Sequence, residues 1–191
     1  MYDWPEDFAT FEEIQKAFEQ DARQGEQYSP FTKDQEGYVQ RAVTINRPLA
    51  EVYKFWRRLS NFPLFMKYVV SVDEVDDKYS NWIIKRPAGV EVQWAADIVE
   101  EIPDELLSWR SLPSGDISNH GDARFNESPH GTEVRLKFRY NAPGGKLTDK
   151  LMHLFDGDPA EQARENMCRF KQLLEAGVIA TIDGQSKGKK L

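Results

Sequence analysis

The chain has 191 residues, 40% of them hydrophobic and 12% aromatic, which suits one domain with its own core and excludes a disordered polymer. A formal charge of −7 leaves no positive field to condense onto a phosphate backbone, so nucleic acid is not an expected partner. No apolar run approaches the ~20 residues of a membrane span, and the N-terminus lacks the basic-then-apolar order of a signal peptide, so a cytoplasmic protein is expected.

Residues 1–36 form an acidic arm without strand patterning, ending in a turn-rich run from Gly25 to Gly37. Within it, Thr10 and Glu13 have capping-box spacing, and Phe11, Ile14, Phe18 and Ala22 recur at helical intervals, predicting one amphipathic helix over 10–24. Period-two alternation begins at Tyr38 and runs to Ile45, the first strand, closed by Asn46-Arg47-Pro48. Pro48 suits a first helical turn, and Leu49, Val52, Tyr53, Phe55 and Trp56 make the stripe of a short helix. A second short helix starts at Asn61-Phe62-Pro63 and runs through Met66.

A meander of six strands follows: Tyr68–Val75, Tyr79–Arg86, Val90–Glu100, Glu105–Leu112, Ile117–Asn126 and Thr132–Tyr140. The separators, such as Pro87-Ala88-Gly89, Pro113-Ser114-Gly115 and Pro129-His130-Gly131, are short enough for hairpins, so consecutive strands should pair antiparallel. After Pro143-Gly144-Gly145 the pattern is helical for about thirty residues, interrupted at Gly157-Asp158-Pro159. That predicts a segment near 145–155 and a longer helix from Pro159 to Ala176, with Asp158 as N-cap and Gly177 as C-cap. The domain should span 37–178, and the 179–191 tail, with Lys187, Lys189 and Lys190, serves solubility.

Alternation assigns the faces. Val134, Leu136, Phe138 and Tyr140 point inward, as do Val92, Trp94, Ala96 and Ile98, then Leu107, Trp109 and Ser111, then Asn119, Gly121, Ala123 and Phe125. Met167, Phe170, Leu173 and Leu174 make the matching stripe on the last helix. Cys168 is the only cysteine, which rules out an intrachain disulfide and a multi-cysteine metal site. In its helical context it reads as a buried, inert thiol.

The sequence resembles the START-like or SRPBCC helix-grip superfamily, and within it the bacterial polyketide cyclase/dehydrase group, which is similar to coenzyme Q-binding START-type proteins. The carrying residues are Val52-Tyr53-Lys54-Phe55-Trp56, Asn61 to Met66, Val92-Gln93-Trp94 leading to Ile102-Pro103, and Leu107-Ser108-Trp109-Arg110-Ser111. Gly121 to Phe125, Gly131-Thr132-Glu133-Val134, Pro143-Gly144-Gly145 and Arg169 to Glu175 complete the set, which covers 38–177 in order. The resemblance implies an α+β helix-grip fold: a curved seven-stranded antiparallel sheet around a long C-terminal helix, with two short helices between strands 1 and 2. It also implies a cavity for lipids, isoprenoids or quinones, aromatic polyketides or hormones. It implies no single chemistry, because the superfamily includes binders, transporters and enzymes.

Residue sizes point to the same cavity. Gly121 and Ala123 beside Ala96 leave space where a filled core would want Leu, Ile or Phe, and Trp82, Trp94, Trp109, Phe125, Phe138 and Tyr140 stand around it. Met167 and Phe170 face it from the helix, and no pocket remains if they fill the gap. The inward polar groups are Asn119, Ser111 and Tyr140, none a strong base. Hairpin counting puts Pro87, Gly89, Pro113, Gly115 and Gly144 at one end, as candidate gates. His120, Asp122 and Arg124 fall on the outward phase; a register slip of one would turn them inward as candidate proton-transfer groups.

The three histidines, His120, His130 and His153, share no metal-ligand spacing, and Gly144-Gly145 lacks the rest of a phosphate loop, so no metal or cofactor is expected. Three functions remain: a binder of an apolar small molecule, a cyclase, aromatase or dehydratase, and an interaction module whose N-terminal helix docks on a partner or forms a homodimer.

Overall fold

In a computed structural model of the chain, the described residues are 37–85, 89, 91–112, 115–141 and 158–178. The N-terminal helix expected over 10–24, the segment near 145–155, the 179–191 tail and the gate residues Pro87, Pro113 and Gly144 lie outside them. The described elements are β1 (Gly37–Ile45), α1 (Leu49–Arg57), a 3-10 turn (Leu59–Leu64), β2 (Val69–Glu74), β3 (Tyr79–Lys85), β4 (Glu91–Ile102), β5 (Leu106–Ser111), β6 (Ser118–Ser128), β7 (Gly131–Asn141) and α2 (Pro159–Ala176).

The seven strands form one antiparallel sheet in the order β1-β7-β6-β5-β4-β3-β2. The meander is therefore as expected, with the first strand closing against the last. Register irregularities between Val69 and Ser71 and between Ile98 and Glu100 let the edge half bend. β4 and β6 each run two residues past their expected ends.

The second short helix is the clearest local difference. It is a 3-10 turn that begins at Leu59, two residues earlier than expected, and it contains Pro63. Proline cannot donate to an α-helical ladder, and the turn closes instead through i→i+3 bonds, Asn61 N to Arg58 O at 2.9 Å and Phe65 N to Phe62 O at 3.1 Å. Asn61 also donates its Nδ2 to Phe55 O at 2.9 Å, satisfying a carbonyl near the end of α1.

The caps of α2 match expectation. Asp158 accepts from Ala160 N at 2.9 Å, Pro159 opens the first turn, and Gly177, at φ 74, donates its N–H to Leu173 O at 2.9 Å. Cys168 differs from expectation: it is only partly buried, facing the Arg164 side of the helix, with Arg164 Nη1 3.8 Å from its Sγ.

Phe170, with no solvent exposure, sits among Phe65 at 4.9 Å, Trp56 at 5.2 Å and Phe55 at 5.9 Å between ring centroids. These rings join Val52, Tyr53, Phe62, Phe125 and Val134 in the main core, at the end of the sheet where β1 finishes and β7 begins. The same end of α2 is clamped from outside. Arg47 donates from Nε to Leu174 O at 2.9 Å and from Nη2 to Glu175 O at 2.8 Å, and Thr132, fully buried, donates to Arg47 O at 2.9 Å. Glu175 accepts from Asn46 N at 2.6 Å and from Lys171 Nζ at 2.7 Å.

Phe170→Ala should cost about 3–5 kcal/mol, measured as a lower urea midpoint at unchanged slope. The Asn46 N–H, then Lys171, holds the Glu175 carboxyl below its ordinary range. A depressed carboxyl pKa stabilises the fold above the unfolded value and loses that contribution as pH falls through the folded one. Glu175→Gln should therefore unfold at less urea than wild type at about pH 7, the gap narrowing as the pH falls below the ordinary carboxyl range.

Candidate functional site

The inner surface has two packed patches. The main core fills the closed end, and a smaller cluster of Val92, Trp94, Ala96 and Ile117 packs with Trp82, Ile84 and Tyr140. Between them and the helix lies a cavity of about 180 Å³. Its sheet wall is Trp82, Trp94, Ala96, Ile98, Leu107, Trp109, Asn119, Leu136, Phe138 and Tyr140. Its helix wall is Pro159, Gln162, Ala163, Asn166 and Met167, and Phe62, Phe65, Met66 and Tyr68 close the side.

The tryptophans are held by hydrogen bonds as well as by packing. Trp82 and Trp94, paired across β3 and β4, stack with centroids 5.7 Å apart and planes 11° from parallel. Trp82 Nε1 donates to Ser80 Oγ at 2.9 Å, and Trp109 Nε1 donates to Asn119 Oδ1 at 3.0 Å. Asn119 in turn donates its backbone N–H to Ser111 Oγ at 2.8 Å. The indole N–H groups of Trp82 and Trp109 are thus satisfied without a ligand, which fixes those ring planes in advance. Burial, with Asp158 adding to it, raises the pKa of Tyr140, so at neutral pH its phenol is uncharged. Asp97 also borders the cavity, but its carboxylate accepts from Arg110 Nε at 3.0 Å on the other side of the sheet.

Of the residues singled out from sequence, Trp82, Trp94, Ala96, Trp109, Asn119, Phe138, Tyr140 and Met167 border the cavity. Ser111 stands behind Asn119 as its hydrogen-bond acceptor. Ala123, Phe125 and Phe170 belong to the packed core, where all three are 2% exposed or less. Gly121 does not open space either: a Cβ there would run into Lys137 O and come 2.7 Å from Phe138 Cβ, so the glycine permits close strand approach. Of the three small residues, Ala96 alone lines the void.

Two of the five gate residues are described. Gly89 is exposed, at φ 76 and with open space around it. Gly115 lies against the wall, where a Cβ would sit 2.6 Å from Trp94 Cβ. Gly37, at the start of β1, packs against the Tyr140 ring where a side chain would collide.

His120, Asp122 and Arg124 do not reach the cavity. They occupy the outward rows, opposite Arg110 and Arg139, Ser108 and Lys137, and Leu106 and Arg135 respectively. Arg124 Nε lies 3.5 Å from Asp122 Oδ2. Ala123 and Phe125 take the inward positions on the same strand, so the register slip that would bring the three inside does not occur.

Two parts of the wall escaped the sequence reading. Phe62 lies in the short 3-10 turn, and Met66 and Tyr68 in the chain between that turn and β2, where no sustained periodicity tells which way a side chain points. Asn166, 9% exposed, accepts from Lys67 N at 3.4 Å and sits between Ala163 and Phe170 at i, i+3, i+7 spacing. The helical period marked its position, but polarity excluded it from an apolar stripe.

Among the described residues, no helix is long and apolar enough to cross a membrane, and no group of three His, Cys, Asp or Glu is placed to hold a metal ion. Among curated proteins, the chain is 28% identical over 141 residues to a 17.2 kDa protein from the melC2–rnhH intergenic region of Streptomyces lincolnensis, covering 72% of this chain and 89% of that one. The crystal structure of DR_A0006 from Deinococcus radiodurans is 34% identical, with a TM-score of 0.60 over 74% of this chain and 99% of that one. The Zhui aromatase/cyclase from Streptomyces sp. R1128 shares the fold, at 14% identity and a TM-score of 0.57, over 76% of this chain and 99% of that one. The family model described as polyketide cyclase/dehydrase and lipid transport matches residues 45–168, which is most of the helix-grip domain, and the chain belongs to that family.

Proposed function

We propose that the chain binds a compact, uncharged, ring-containing molecule in the cavity between the sheet and α2. The observation that carries this reading is an unfilled, aromatic-walled space in a core that is otherwise tightly packed. Protein interiors leave few voids larger than a water molecule, and an apolar cavity of about 150 Å³ is enough to hold benzene. At about 180 Å³, this one suits roughly one or two rings. A longer isoprenoid or polyketide chain would have to extend through the mouth, since sites for larger ligands run to about 300 Å³ and above.

The parallel Trp82 and Trp94 rings offer a flat wall, and Asn119, Gln162, Asn166 and the Tyr140 phenol offer neutral polar atoms that can orient a carbonyl or hydroxyl. A charged ligand would lose its hydration without finding a counter-charge here.

A cyclase or dehydratase reading draws on the family and on the fold shared with the aromatase/cyclase. Its acid–base candidates, His120, Asp122 and Arg124, lie on the convex face, and general acid–base work at neutral pH usually recruits His, Asp, Glu or Lys at the reacting atom. Binding is the reading the site supports better.

Organic extraction and native mass spectrometry of the purified protein should find a co-purifying ring compound. Titration with 1-naphthol, followed by tryptophan fluorescence, should saturate in the wild type. Ala96→Leu places a side chain in the void and should weaken that binding by at least about tenfold, with thermal stability unchanged or raised. Equal affinity in the two proteins would put the ligand elsewhere and defeat the proposal.

A further inference from the structure

The convex face of the sheet is neither plain nor fully solvated. On β3 and β4 the outward residues Asn81, Ile83 and Asp97 are only 8%, 9% and 4% exposed. No described helix accounts for this, because α1, the 3-10 turn and α2 all contribute to the core on the concave side. On β5 to β7 the same face presents Arg110, Arg124, Arg135, Lys137 and Arg139; Asp97, Asp122 and Glu133 pair with the first three at 3.0, 3.5 and 2.8 Å, so the excess of positive charge is at Lys137 and Arg139.

Charge is segregated along the chain to match. Residues 1–36 hold ten Asp or Glu and three Lys or Arg, which is the whole of the net −7; the residues from Gly37 onward carry 22 of each sign. This acidic segment joins β1 at Gly37; the next residue, Tyr38, pairs with Arg139 and lies under its guanidinium at 5.3 Å, so the junction is at the basic side of the convex face.

Dimensions agree as well. From β1 to β3 is five inter-strand steps, about 24 Å across the sheet. The helix expected over 10–24 would be about 22 Å long, and the residues between it and β1 can reach up to about 40 Å.

We propose that residues 1–36 dock in cis across the convex face, acidic side chains on the Arg and Lys rows and the Phe11, Ile14, Phe18 stripe over the shielded Ile83 region. This is independent of what the cavity binds. It assigns the amphipathic stripe an intramolecular partner, whereas a second copy of the chain would make the same contacts between molecules.

Zero-length carbodiimide coupling of the full-length protein separates the two arrangements, since Lys137 is on this face and amines couple only to carboxylates in direct contact. Peptide mapping of the monomer fraction should join Lys137 to a carboxylate of residues 1–36. Links from Lys137 to sheet carboxylates alone, or arm links confined to a dimer fraction, would overturn the proposal. As a second measurement, Lys137→Glu combined with Arg139→Glu should raise the rate of limited proteolysis within the arm about tenfold. The charge-conserving pair Lys137→Arg and Arg139→Lys should leave it unchanged, and equal cleavage rates in the two double variants would also refute cis docking.

Discussion

The seating of Phe170 among Trp56, Phe65 and Phe55 is the contact on which the rest of the architecture depends. It pins the later turns of α2 over one end of the sheet, and Arg47 and Glu175 lock the same end from outside. With one end of the helix fixed, the space beneath its earlier turns is left to side chains of modest size, Ala163, Asn166 and Met167, facing Ala96 and the tryptophans. The cavity is thus a consequence of where the helix is anchored. Its floor is made by rings of that aromatic core, Trp56, Phe62 and Phe65.

The polar groups around this space explain why the wall keeps its shape without a guest. Trp82 and Trp109 find acceptors in Ser80 and Asn119, and Asn119 leans on Ser111. A buried indole N–H without a partner would carry a desolvation penalty and would invite the ring to turn toward water. Satisfied internally, the rings stay where the cross-strand pairing puts them, and recognition falls to shape and to a few neutral dipoles. Lowered ordering cost on binding is the general benefit of such preorganisation.

Much of this was legible in the sequence wherever a short-range rule governs. The caps at Asp158 and Gly177, the antiparallel meander, and the inward phase through Trp94, Ala96, Trp109, Asn119, Phe138 and Tyr140 follow from capping chemistry and period-two alternation. What was not legible depends on tertiary distance. A glycine within a strand serves equally to leave a void or to admit a neighbouring backbone, and only the approach of Lys137 and Phe138 decides between them at Gly121. Ala123 reads as a gap until Phe125, Val134 and α1 are seen packed into the same cluster. The irregular stretch around Met66 and Tyr68 has no period to read, and Asn166 required a polar residue to be admitted to an apolar stripe.

The even balance of charge from Gly37 onward has a consequence for handling the domain. A shortened chain beginning there would be near its isoelectric condition at neutral pH, where like molecules no longer repel one another and self-association is easiest. The 36 residues before it carry the whole net charge by which like molecules repel one another.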